Sequence, residues 1–186
     1  MSSNGFRGNV QSGRALVVFE SMFGNTEQVA RAIADGLSAR MDVEVVEIGS
    51  APTTLNGIDL LVAGGPTHAF GLSRASTREA AARQAPNGLV SSGIGLREWL
   101  ASVRGESATA VIATFDTRVR RPRVPGSAAR AAHRRLGRLG FRAVEQPKSF
   151  WVDGTTGPLA VGELERARRW GTELGFCMAE NVVLAS

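Results

Sequence analysis

Residues 20–26 carry the groups in this chain that are best suited to hold an anion. An apolar run over residues 15–19 stops there, and an amphipathic helix pattern begins directly afterwards. The first N–H groups of a helix and the positive end of its dipole attract phosphate, and nearby hydroxyls add donors. A glycine in such a turn takes a positive φ and lets the backbone approach the ligand. Because no Lys or Arg is present, we predict a phosphate site that acts through dipoles, formed by Ser21, Met22, Phe23, Gly24, Asn25 and Thr26.

The same segment also suits a simpler structural role. Asn and Thr are common helix-capping residues, so Asn25 and Thr26 are equally consistent with an ordinary strand-to-helix turn. Two other phosphate motifs are excluded by spacing. No Gly-Lys-Ser/Thr follows, as a Walker A loop requires, and the glycines lack the spacing of a dinucleotide fingerprint.

A second unusual loop, over residues 64–72, follows the third predicted strand. It contains paired glycines, a proline that stiffens the turn, and an aromatic residue followed by another glycine. Phe70 is a candidate for stacking on an aromatic ligand, although a role as a core side chain is equally consistent with the sequence. The imidazole of His68 suits an ordinary loop hydrogen bond better than proton transfer. The candidate ligand contacts in this loop are Pro66, Thr67, His68, Phe70 and Gly71.

A third polar segment, residues 114–118, follows the fourth predicted strand. Phe115 is a candidate for contact with a ligand ring. Asp116 is a candidate acceptor of a hydrogen bond from a ligand N–H, and Arg118 is a candidate to lie near the edge of the ring. The alternative for the two charged residues is a surface salt bridge, which stabilises a protein by about 0–1 kcal/mol.

The elements that would position these loops alternate between strand and helix. Strand patterns are expected near residues 15–19, 43–48, 59–63, 108–114 and 143–152. Helix patterns are expected near residues 27–39, 77–84, 96–103, 127–138 and 162–176. This alternation predicts an α/β three-layer sandwich with a five-stranded, doubly wound parallel sheet. We expect one domain over residues 14–186 after a flexible tail over residues 1–13.

The first two loops carry a family resemblance. Residues 20–27 resemble the FMN-phosphate loop of the flavodoxin superfamily, in the form with Met and an aromatic before Gly-Asn-Thr. Residues 64–71 resemble the flavin loop of flavodoxin-like quinone reductases and flavodiiron modules. The resemblance implies strand order 2-1-3-4-5, the short-chain form of the fold, and FMN bound by all three loops. In such sheets ligands lie beyond the carboxyl ends of the strands, where the strand order reverses.

Composition restricts the chemistry further. Cys177 is the only cysteine among 186 residues, which excludes intrachain disulfides, iron–sulfur ligation and cysteine-based zinc sites. Redox chemistry would therefore reside in an organic cofactor. No apolar run reaches the roughly eighteen residues needed for a membrane span, and no secretory signal pattern precedes residue 14. These features predict a cytoplasmic protein that does not insert into membranes.

The net charge of +5 departs from the usually acidic flavodoxins. The basic runs lack the interleaved aromatics or groove-reading element of a nucleic-acid site, so no nucleic-acid partner is expected. Instead, a redox protein with an acidic surface is the predicted partner. Arginines beside the flavin should also raise its potential, and the candidates are Arg118, Arg120, Arg121 and Arg123.

These features favour an FMN-binding protein that acts in electron transfer. Two alternatives remain open: an FMN-dependent NAD(P)H:quinone-type reductase, and a flavodoxin-fold binding module without flavin. The sequence contains no nicotinamide-binding fingerprint, which favours electron transfer over the reductase.

Overall fold

Five parallel strands form a single sheet in the order β2-β1-β3-β4-β5. The computed structural model describes residues 13–104, 109–121 and 125–184, with only the backbone described for 181–184. The strands are β1 (Arg14–Phe19), β2 (Asp42–Glu47), β3 (Leu60–Pro66), β4 (Val111–Val119) and β5 (Lys148–Val152). The strands β1 and β3 are apolar and buried because layers of helices cover both faces of the sheet. The strand β2 is exposed or half-buried at every residue, as an edge strand is.

The register brings the carboxyl ends of β1, β3 and β4 to one edge of the sheet. Phe19 pairs with Gly64, and Gly64 pairs with Phe115. A Cβ on Gly64 would lie 2.3 Å from the Phe115 ring, so glycine is required where this ring crosses β3. The loops that follow these strands therefore start close together.

The helices form two layers. They are α1 (Asn25–Leu37), α2 (Ala75–Ala82), α3 (Leu96–Ser102), α4 (Ala128–Arg138) and α5 (Glu163–Leu184). α1 and α5 pack on one face of the sheet, where Trp170 and Leu174 join the core. α3 and α4 pack on the other face, where Trp99 and Leu136 are fully buried. α2 belongs to neither core, since Ala81 is its only buried residue.

The contact between α1 and α5 depends on two glycines. A Cβ on Gly36 would lie 2.0 Å from the carbonyl oxygen of Arg168, and one on Gly171 would lie 2.1 Å from that of Ile33. The two backbones therefore approach more closely than any residue with a side chain allows.

The predicted fold class and strand order are confirmed, and several boundaries require correction. The third strand runs through Pro66 rather than ending at 63, so the predicted loop over residues 64–72 begins inside it. The fourth strand runs through residue 119 rather than ending at 114, the fifth begins at Lys148 rather than 143, and the last helix continues to Leu184. The predicted tail lies outside the described residues except for residue 13. Within the described ranges, no helix combines the length and apolarity that crossing a bilayer requires.

Candidate functional site

The turn between β1 and α1 ends at a left-handed glycine. Gly24 has φ 85° and ψ −10° and occupies the N-cap position of α1. The first intrahelical bond runs from the N–H of Gln28 to the Gly24 carbonyl, at 3.0 Å. The N–H groups of Asn25 and Thr26 precede this bond, so they belong to the helix-start donors that have no partner within the helix. This arrangement presents donors to whatever lies in front of the helix.

The Ser21 hydroxyl oxygen organises the turn from within. It accepts hydrogen bonds from the N–H of Gly24, at 3.1 Å, and from that of Glu27, at 3.4 Å. A hydroxyl oxygen has two lone pairs and one proton, so both acceptor positions are engaged and the proton is left to donate. Ser21 lines a cavity in front of the turn, where an anionic oxygen would be a suitable acceptor.

The side chains of Asn25 and Thr26 do not cap α1. The Asn25 amide donates to the carbonyl of Thr156, at 2.9 Å, in the loop after β5. The Thr26 hydroxyl lies 2.7 Å from that of Thr117 on β4, and both residues are buried. The capping role that was the alternative for this segment is therefore wrong. These side chains connect the turn to its neighbours and leave the backbone donors facing the cavity.

The cavity has a volume of about 350 Å³ and lies beyond the carboxyl ends of the strands. This is within the range of small-molecule sites, which measure about 300–1,000 Å³. Its wall includes nine predicted site residues: Ser21, Met22, Phe23, Asn25, Thr26, Pro66, Thr67, His68 and Arg118. Gly24 lies within the same turn but is not itself part of the wall.

Phe70 lies at the tip of a tight turn outside the cavity wall. His68 and Gly71 exchange two backbone hydrogen bonds of 2.9 Å, with Ala69 and Phe70 between them at φ 39° and 75°. The Phe70 side chain is 61% exposed, so the alternative of a core side chain is wrong. Gly126 packs beneath the turn, where a Cβ would lie 1.9 Å from the Phe70 carbonyl oxygen. Phe70 and Gly71 therefore belong to the loop after β3 but do not line the cavity.

Residues 114–118 lie inside β4 rather than in a loop, which corrects the prediction for Phe115. Its ring is fully buried and packs edge-on against Phe150, with centroids 6.3 Å apart. A ring held in the core between sheet and helices has no free face for a ligand. The proposed ligand contact of Phe115 is therefore wrong.

Asp116 is also buried, and its carboxylate serves the protein itself. Its Oδ2 accepts from the hydroxyls of Thr67, at 2.9 Å, and Ser127, at 2.6 Å, and from the N–H of Ala129, at 3.0 Å. It therefore holds the N-terminus of α4 and orients Thr67, which lines the cavity. The expected surface salt bridge is therefore wrong for Asp116, because its carboxylate is fully buried. The role of a ligand N–H acceptor stays a prediction, since the other carboxylate oxygen, Oδ1, has no hydrogen-bond partner among the described residues.

Arg118 lines the cavity at the end of β4, as the sequence predicted, although it lies in a strand. Its guanidinium carbon lies 5.7 Å from the centroid of the Trp151 ring on β5. The neighbouring Arg120 pairs with Asp153 at 3.7 Å, and Arg121 is exposed. The predicted contribution of Arg123 lies outside the described residues.

Sequence reasoning missed one wall of the cavity and the residue that links its loops. The missed wall comes from α2 and the loop after β5, which showed no chemical signal in the sequence. The linking residue, Thr117, would have been found if β4 had been extended through its alternating polar residues. The missed lining residues are Ala69, Ser76, Thr77, Ala80, Ala81, Gln84, Thr117, Val119, Val152 and Thr155.

A buried carboxyl group lies directly before the turn. Glu20 accepts hydrogen bonds from the Ser73 hydroxyl and, at 2.8 Å, from the N–H of Leu96. Burial raises the pKa of Glu20, while these bonds and the charge of Arg78 oppose the rise. Burial also lowers the pKa of His68, and Arg78 lowers it further. His68 is therefore held neutral at neutral pH.

The chain matches the flavodoxin family model over residues 17–171. Oxidised flavodoxin 1 from Bacillus cereus superposes with a TM-score of 0.63 at 18% identity, covering 87% of this chain and 96% of its own. A flavodoxin from the domain Archaea gives 0.61 at 15% identity, with coverage of 89% and 99%. The flavodiiron core from Synechocystis sp. PCC6803 gives 0.62 at 16% identity, covering 92% of this chain and 37% of its own.

Comparison with curated proteins finds no matching sequence. The solved structures establish the fold through superposition, and the family model establishes membership through the sequence over most of the chain. The turn at Gly24 and the cavity beyond it lie at the sheet edge where ligands of such folds bind. The chain therefore belongs to the flavodoxin family.

Proposed function

We propose that this protein binds FMN in the cavity beyond β1 and β3 and acts in electron transfer with a protein partner. The observation that carries the proposal is the turn over residues 21–26. Its helix-start N–H groups and the Ser21 proton border one end of the cavity, in a chain of the flavodoxin family. A phosphate dianion matches these donors because all of them carry partial positive charge.

Different residues would bind the two ends of the ligand. The backbone of Asn25 and Thr26 and the Ser21 hydroxyl would hold the phosphate, while Pro66 to His68 would border the ring. Asp116 fixes Thr67 from beneath and so keeps that loop in place. FMN, when bound, supplies the redox chemistry, and the protein supplies orientation and electrostatics.

The charge near the cavity supports an acidic redox protein as the partner. Arg118 is in the cavity wall, and Arg120 and Arg121 continue the strand end into solvent. The net charge of +5 adds a favourable long-range field for an acidic surface. The same arginines favour the anionic reduced flavin, so its potential should exceed that of acidic flavodoxins. The cytoplasmic location remains a prediction from the sequence.

A titration of the purified protein with FMN, followed by flavin fluorescence, tests the proposal. One-to-one saturable binding is expected. Gly24→Ala should weaken binding by about tenfold or more, since φ 85° strains alanine and moves the donors. Gly140→Ala is the matched control, because Gly140 has φ 93° and open space around it, away from the cavity.

Three results would change the conclusion. Absence of FMN binding by the wild type would favour a binding module without flavin. Equal weakening by Gly24→Ala and Gly140→Ala would show that general destabilisation, not the turn, governs binding. Oxidation of NAD(P)H with a quinone by the loaded protein alone would favour the reductase.

A further inference from the structure

A distant part of the chain is hydrogen-bonded to residues 21–26, the phosphate turn. Residues 90 and 91 run alongside residues 21 and 22 and make three hydrogen bonds with them. The N–H of Ser91 donates to the Ser21 carbonyl, at 2.8 Å, and the N–H of Val90 donates to the Met22 carbonyl, at 3.1 Å. The N–H of Ser21 donates to the Ser91 hydroxyl, at 3.0 Å. Ser91 thus holds both backbone polar groups of Ser21.

The third of these bonds depends on a side chain, which sets it apart from the other two. Ser21 and Ser91 are both fully buried, so the Ser21 N–H has no access to water as a substitute acceptor. A buried N–H that loses its acceptor is costly, and the backbone around it moves to recover a partner. The conformation of Ser21 therefore depends on the Ser91 hydroxyl.

Ser21 in turn determines where the anion donors point. Its hydroxyl oxygen accepts from the N–H groups of Gly24 and Glu27, so its own proton is used in neither bond. Any rotation of the Ser21 backbone would move this hydroxyl and release both N–H groups. The effect of Ser91 thus passes through Ser21 to the whole turn.

We propose that Ser91 is a positioning residue that pre-organises the phosphate turn before a ligand arrives. This inference rests on the proposed function, since it assigns Ser91 to the same cofactor site. Ser91 does not line the cavity and contacts no ligand itself. It raises affinity for the phosphate group because a turn that is already in its binding conformation loses less freedom on binding.

The test compares FMN with riboflavin, which lacks the phosphate. Ser91→Ala should raise the dissociation constant of FMN by about tenfold and that of riboflavin by less than about twofold. Ser92→Ala is the matched control, because Ser92 is the exposed neighbour on the same segment. Ser91→Thr keeps the hydroxyl and should restore the wild-type ratio. Ser91→Cys has a side chain of similar size with a weaker acceptor, so its FMN dissociation constant should lie between those of the wild type and Ser91→Ala. It replaces Ser91→Ala if that variant does not fold.

If Ser91 had only a general structural role, Ser91→Ala would weaken the binding of FMN and riboflavin equally, or of neither. Either result would overturn the proposal. So would equal effects of Ser91→Ala and Ser92→Ala. Titration with inorganic phosphate, followed by the backbone amide NMR signals of residues 22–26, separates this inference from the proposed function. If the wild type fails to bind FMN but these signals shift with phosphate and shift less in Ser91→Ala, the inference stands and the FMN assignment fails. If they do not shift in the wild type, both fail.

Discussion

The hydroxyl oxygens of Thr26 and Thr117 lie 2.7 Å apart in the buried space between α1 and β4. The carbonyl of Thr117 also accepts a hydrogen bond from the N–H of Thr67, at 2.9 Å. Thr117, a residue of the cavity wall, therefore contacts both the phosphate turn and the loop after β3. Its side chain fixes the first, and its backbone fixes the second.

Replacing Thr117 by Val removes the hydroxyl and keeps the shape of the side chain. The Thr26 hydroxyl then remains buried without this partner, so we expect the free energy of unfolding to fall by about 1–2 kcal/mol. FMN affinity should fall as well, because Thr26 belongs to the phosphate turn. Urea unfolding and flavin titration measure the two effects. Thr117→Ser keeps the hydroxyl, so equal losses of affinity in both variants would show that the hydroxyl pair is unimportant.

The fold could be predicted because its pattern is local. The runs at β1 and β3 are apolar without interruption, which only a strand buried on both faces tolerates. α1 shows buried residues at the spacing of one helix face, including Val29, Ile33 and Leu37. These signals require no knowledge of distant residues.

The site was less predictable because its polar residues are satisfied by distant groups. Asp116 lies in a segment whose polar residues are typical of a loop, yet this segment is a strand. Its buried carboxylate is accommodated because Thr67 and the start of α4 supply three hydrogen-bond donors to one oxygen. Phe70 looked like a buried or stacked aromatic, but the tight turn at His68–Gly71 presents it to solvent. No local pattern in the sequence reports either arrangement.

Two helical glycines should respond in opposite directions to the same substitution. Gly36→Ala places a methyl group 2.0 Å from the Arg168 carbonyl oxygen, so α1 and α5 must separate. We expect a loss of at least about 3 kcal/mol in the free energy of unfolding. Gly137→Ala in α4 meets open space and should add about 0.5–1 kcal/mol through helix propensity. Thermal unfolding compares them, and a mild effect at Gly36 would contradict the close contact.

Asp116→Ala should be among the more destabilising single substitutions in this chain. It removes the acceptor of three hydrogen bonds, from the half-buried Thr67 and from the buried Ser127 and Ala129. We expect a loss of about 3 kcal/mol or more. Asp153→Ala is the control, since this half-exposed carboxylate forms only a surface pair with Arg120. That control should cost about 0–1 kcal/mol, and similar losses in both variants would argue against the network.

The arginines at the end of β4 should affect the potential of the bound flavin. Arg121→Gln removes an exposed positive charge near the cavity, so the midpoint potential should fall by on the order of 20 mV at low salt. High salt should reduce this difference through screening. Arg138→Gln, at the exposed far end of α4, is the control and should leave the potential unchanged. A shift of the same size in both variants would indicate a net-charge effect instead.

Glu20 should make stability fall as the pH rises above the ordinary pKa of a glutamate. Burial raises its pKa in the folded protein above 4.5, so the folded state binds more protons than the unfolded state in the window above that value. The free energy of unfolding therefore decreases with pH through this window and levels off above the raised pKa. Glu20→Gln removes the titrating group and keeps an acceptor for Ser73 or Leu96.

Urea unfolding of both proteins at a series of pH values from 4.5 upward isolates this contribution. The difference in unfolding free energy, wild type minus variant, should become smaller or more negative as the pH increases. The other titrating groups are common to both proteins and cancel in the difference. A difference that grows with pH would mean that the charged form of Glu20 is favoured, and the hydrogen bonds from Ser73 and Leu96 would then outweigh burial.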